Sequence, residues 1–107
     1  MMTQLTQALG GARAYGEAAL MALRARLETN AIDSEQRAAH GFAWVATSVA
    51  ALEAVHDWVQ AGGGANPLDA KVAQLAFAET LQQLIGGLPM GQNEIFRPAD
   101  LGLGSAA

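Results

Sequence analysis

Apolar residues recur at spacings of three and four along most of the chain, the period of an amphipathic helix, and the longest uninterrupted run lies between Asp33 and Ala61. Within it Phe42, Val45, Val49, Leu52, His56 and Val59 form one stripe, and Trp44, Ser48, Ala51 and Val55 form a second beside it. A face that wide needs neighbours on two sides, so this segment is expected to be the central helix of a small bundle. Upstream, Leu5, Leu9, Ala12, Gly16, Ala19 or Leu20, Leu23 and Leu27 keep the same spacing and predict a first helix over Thr3 to Glu28. Gly10-Gly11 is its weak point, since two interior glycines together cost roughly 2 kcal/mol relative to alanine.

Stop and start signals bound the other two helices. Asp33 followed by Gln36 has the form of a capping box and is expected to open the central helix, and Gly62-Gly63-Gly64 ends it. Asn66-Pro67-Leu68-Asp69 offers an N-cap, a proline whose missing N–H is harmless and an acid in the first turn, so a third helix is expected to about Ile85. Along it Leu68, Val72 and Leu75 make one line and Phe77, Leu81, Leu84 and Leu88 nearly the opposite one, which predicts cover on two faces. Beyond Gly86-Gly87, Leu88-Pro89-Met90 reads as an extended step, and Gln92 to Arg97, closed by Pro98, as one or two helical turns. No stretch alternates in the manner of a strand. Short connections make neighbours antiparallel. The expected fold is therefore all-α: an up-down-up antiparallel bundle of three long helices with a short C-terminal helical turn, spanning residues 1–101 as one domain, with a flexible tail over 102–107.

Composition sharpens this picture in one respect. Apolar residues make up 51% of the 107 and charged ones only 15%, a balance that leaves more apolar surface than three helices can share around one core. A homodimer is expected, with Trp44 or Trp58 near the contact, because aromatic residues anchor such interfaces. The net charge of -4 and six scattered basic residues argue against nucleic acid. Glu53, His56 and Asp57 interrupt the apolar run, the N-terminus lacks the form of a secretory signal, and there is no cysteine, so no membrane association and a cytoplasmic location are expected.

Candidate chemistry is sparse. Glu53 and His56 have the spacing used by carboxylate-bridged metal bundles, because side chains three apart on a helix point the same way. Glu79 lies in line with Leu68, Val72 and Leu75 and could add a carboxylate, yet a full ligand set would need a second copy. The plainer expectation is a partly buried His56 bonded to a neighbouring helix and Glu79 paired with Arg37, Arg97 or a histidine. His40 falls on the same edge as Trp58 and is read as a rim residue. The three glycines at 62–64 lack the preceding strand and the following Lys-Ser/Thr of a phosphate loop, and Ser34, Ser48 and Ser105 sit in no nucleophile elbow. No catalytic, cofactor-binding or metal-binding residue is assigned.

Three motifs carry a resemblance. Ala39, His40, Gly41, Phe42, Ala43, Trp44, Ala46 and Thr47, then Phe77, Glu79 and Leu81, then Gly86, Gly87, Pro89, Met90, Gln92, Glu94 and Arg97 form a pattern similar to the helical segment that precedes the catalytic core in proteobacterial acyl-CoA dehydrogenases of the methylsuccinyl-CoA dehydrogenase type. The resemblance implies an association with flavin-dependent acyl-CoA oxidation, as a fragment or a stand-alone relative that keeps only the helical module. It implies no FAD in this chain, since a flavin site of that family lies between a β-domain and helical domains, and FAD enters only as part of a larger enzyme. A dehydrogenase core is then a possible partner. The leading expectation is a non-catalytic module acting in assembly or interaction. The alternative is a small dimeric helical bundle that binds a metal or an apolar ligand between its helices.

Overall fold

A computed structural model describes residues 1–104. Three long helices dominate it: α1 over Met2–Thr29, α2 over Gln36–Gln60 and α3 over Pro67–Gly86. α1 and α3 both pack mainly on α2 and touch each other less. Thr6 meets His56, Arg13 meets Glu53 and Arg26 meets Glu35, so α1 and α2 run antiparallel as their short connection requires. The stripe read from the sequence is the buried one, with Val45, Val49, Leu52 and Val59 of α2 closing on Leu5, Leu9, Ala12, Ala19 and Leu23 of α1. Gly10-Gly11 stays helical because Leu9 and Ala12 on either side of it are buried, and tertiary packing outweighs the local propensity.

The third helix begins as expected. Asn66 caps it, its Oδ1 accepting from the Leu68 N–H at 2.8 Å, with Pro67 at the first position. α2 starts differently from the expectation. Ile32–Glu35 form a 3-10 turn and no side chain caps the helix, because Ser34 instead closes a local bond to the Ala31 carbonyl at 2.8 Å. At the far end Gly62 takes φ +106°, a left-handed conformation that glycine reaches without strain and that turns the chain out of α2.

Two expectations on the C-terminal third are corrected. Glu94–Phe96, expected within one or two helical turns, is strand β2 of a small antiparallel hairpin, paired with strand β1 over Leu88–Gly91, where the extended step expected at Leu88-Pro89-Met90 is found, and Gln92-Asn93 is the loop between them. Gly87 at φ +152° reverses the chain after α3, Pro89 occupies an edge position where no ladder N–H is required, and the pairing slips between Pro89 and Gly91 so that Met90 has no opposite number. The short helical turn exists, but later, as a 3-10 turn over Pro98–Leu101. Leu103 is half-buried against the core, and residues 105–107 of the expected tail lie outside the described residues.

The second correction concerns the face of α3. Ala73, Phe77 and Leu84 point inward, whereas Leu68, Val72 and Leu75 are 68, 54 and 58% exposed. The inner line wins because Phe77, Leu81 and Leu84 continue into the buried Leu88 and cover the whole length of the helix. The other line gives way after Leu75 to Glu79, Gln82 and Gln83. Ile32–Gln60 is long and apolar enough by length and composition to cross a membrane, and in the bundle its Val45, Val49, Leu52 and Val59 are buried.

Candidate functional site

The densest polar arrangement lies where the hairpin docks on the ends of the helices. Phe96, at the end of β2, is 1% exposed and lies on Gly41 of α2, so closely that a Cβ at Gly41 would overlap its ring. Glycine is required there by a neighbour and not by its own backbone, which is ordinary helix. Around that contact, charged side chains hold main-chain atoms. Arg37 donates to the Ile95 carbonyl at 2.9 Å and lies 3.5 Å from both Glu94 and Asp100. Asp100 accepts from the Arg97 N–H at 2.8 Å, and its own carbonyl accepts from Arg26 at 2.8 Å, while Arg26 also reaches Glu35 at 3.4 Å. Arg97 turns back and donates from Nε to the Gly86 carbonyl at 3.0 Å, satisfying one of the unpaired carbonyls at the end of α3. Charge-assisted bonds to carbonyl groups fix position rather than activate anything. This cluster is a clamp: it ties α1, α2, α3 and the hairpin together, and no atom in it is set up as nucleophile or base.

The residues singled out for chemistry are placed apart. Glu53 pairs with Arg13 at 3.2 Å across the α1–α2 seam, and His56 Nε2 lies 2.9 Å from the Thr6 hydroxyl. That is the partly buried, neighbour-bonded histidine expected as the plainer reading. Glu79 is exposed on α3 and joins neither Arg37 nor Arg97; both arginines serve the hairpin instead. Among the described residues no three His, Asp or Glu side chains converge as a metal set would require. The indole N–H of Trp44 donates to His40 at 3.0 Å, and the Trp58 ring lies over Gly63. Both tryptophans keep an outer face, at 40 and 44% exposure.

One concavity was not foreseen. Between α1 and α3 an apolar groove of about 270 Å³ is lined by Ala8, Ala12, Tyr15, Leu81, Leu84 and Pro98, among others. It exists because small residues on α1 leave space where α3 turns its leucines toward them. The Tyr15 hydroxyl is buried at its edge with no hydrogen-bond partner among the described residues. Burial first, and the charge of Asp100 second, raise its pKa above the ordinary tyrosine value. The folded chain therefore holds this proton more tightly than the unfolded one. That contribution to stability is complete below about pH 10 and is lost as the pH rises through the raised value. Tyr15→Phe is expected to leave the chain as stable or stabilise it by about 1 kcal/mol at pH 7, since it removes an unpaired buried hydroxyl, and to flatten the alkaline decline. Urea denaturation of both forms at neutral pH and above pH 10 checks both.

No family model matches the chain. No solved structure matches it either. A curated relative does: the (2S)-methylsuccinyl-CoA dehydrogenase of Cereibacter sphaeroides is 35% identical over 112 aligned residues, which take in 96% of this chain and 20% of that enzyme. The chain matches part of an acyl-CoA dehydrogenase. It spans about a fifth of the length of that relative. In the folded chain the residues that carry the resemblance are seen in place. Gly41 seats Phe96, Gly86 offers its carbonyl to Arg97, Glu94 meets Arg37, and Phe77 is a core residue. Four of them, Gly41, Gly86, Glu94 and Arg97, lie at the hairpin and its seat.

Proposed function

We propose that this chain is a non-catalytic helical module, related to one segment of an acyl-CoA dehydrogenase, that acts in assembly or interaction. The observation that carries the reading is that the motif residues Gly41, Gly86, Glu94 and Arg97 all serve the docking of the hairpin on the three helices. Residues that must close such a contact are not free to meet a substrate, and the remaining acids and histidines are paired across a helix seam or dispersed on the surface. In this reading acyl-CoA oxidation and FAD belong to a larger enzyme, and the segment contributes a folded surface to it or to a relative that stands alone in the cytoplasm. A homodimer is part of the same proposal.

Exchange of segments tests this. When the matching segment of (2S)-methylsuccinyl-CoA dehydrogenase is replaced by this chain, the chimera is expected to fold, retain flavin and turn over within about tenfold of the parent, since a scaffold exchange alters position more than chemistry. A chimera that folds and binds flavin but turns over thousands of times more slowly would mean that the segment carries reacting groups.

A further inference from the structure

The outer face of α3 combines two features. Leu68, Val72 and Leu75 form the most exposed run of large apolar side chains within two turns of one helix, at 68, 54 and 58%. Lys71 and Glu79 lie four residues before and four after Leu75, both exposed, and neither forms an ion pair among the described residues. They cannot pair with each other, because eight helical residues separate them by about 12 Å. The two tryptophans are less available, as Trp44 bonds to His40 and Trp58 lies against Gly63.

Those spacings are self-complementary. When two α3 helices cross antiparallel about a twofold axis at Leu75, each position before Leu75 faces the position equally far after it in the other copy. Lys71 then faces Glu79 of the second copy, Glu79 faces Lys71 of the second copy, Leu75 meets Leu75, and Val72 lies over Ala78. Both stranded charges gain a partner of opposite sign at the two ends of an apolar centre, which is what an isologous contact requires. A dehydrogenase core as the occupant would account for the apolar stripe, but not for a lysine and an acid placed symmetrically about it.

We infer that the outer face of α3 is the homodimer contact of this chain, formed by antiparallel pairing about Leu75 with reciprocal Lys71–Glu79 ion pairs. The inference rests on the assembly reading above and locates it. A contact of one helix per copy lies at the small end of specific interfaces, so micromolar association is expected.

Sedimentation equilibrium of the 107-residue chain over about 10 μM to 1 mM measures it. The parent is expected to dimerise. Leu75→Glu, which sets two like charges face to face, is expected to leave a monomer with an unchanged circular dichroism spectrum, because the site is exposed. Lys71→Glu and Glu79→Lys should each weaken dimerisation about tenfold, and the double exchange K71E/E79K should return it to within about threefold of the parent. A parent that stays monomeric throughout overturns the inference, and so does one that binds a dehydrogenase core through this face without self-associating. A dimer untouched by Leu75→Glu, or a double exchange no tighter than either single one, also overturns it. A monomeric parent removes the homodimer from the reading above but leaves the chimera result unaffected, and a catalytic segment would leave the dimer unaffected, so failure here and failure of the non-catalytic reading can be told apart.

Discussion

Gly41→Ala is expected to lower the stability of this chain by about 2 kcal/mol, although alanine is the better helix former by about 1 kcal/mol. A single methyl group at position 41 points into the ring of Phe96, which is buried at 1% exposure. Either α2 and the hairpin move apart or the ring leaves its seat, and both loosen the polar clamp built on Ile95, Arg97 and Asp100. In a chain of this size the melting temperature should fall by roughly 10 °C. Thermal and urea melts of the single variant at fixed protein concentration measure it.

Phe96→Ala is expected to cost more, about 3 to 5 kcal/mol, because it removes the largest of the fully buried side chains and opens a cavity that a rigid helix face cannot fill. The two substitutions share one contact and should not add. In the Phe96→Ala background the methyl of Gly41→Ala meets no ring, so its effect is expected to change sign and become neutral or stabilising by up to about 1 kcal/mol. The four melts of this double-mutant cycle test the contact independently of any single value. Simple additivity would mean that Phe96 and Gly41 do not touch in solution.

The three helices were legible because each carries a long apolar stripe and plain punctuation. Asn66-Pro67 opens α3 and Gly62 closes α2 where local chemistry demands it. Of the hairpin only the extended step at Leu88-Pro89-Met90 was legible: strands of four and three residues, one holding Pro89 and the pairing slipped at Met90, leave no alternation to detect. What makes it stable lies elsewhere in the chain, on Gly41 and on Arg37, which bonds to Ile95 from 58 residues away, and no local pattern reports such a partner. Both faces of α3 were expected to be covered for a related reason, since two apolar lines at helical spacing look alike until one of them meets α2. His56 was placed correctly because its stripe was already assigned to the core. Glu79 was misplaced because it was assigned to the line that turned out to face outward. The clamp could have been suspected from Arg97, which follows two glycines and a proline at a distance suited to cap α3, but spacing alone does not show that it turns back to Gly86.

As proposed, this folded module does no chemistry of its own. The most direct measurement incubates the pure 107-residue chain with FAD and methylsuccinyl-CoA in the presence of a dye electron acceptor, followed by removal of free flavin. The expected result is no flavin retained and no dye reduced above the protein-free rate, because hydride transfer needs a positioned flavin and a base beside the substrate α-carbon. Stoichiometric flavin on the protein with substrate-dependent dye reduction would contradict a non-catalytic module.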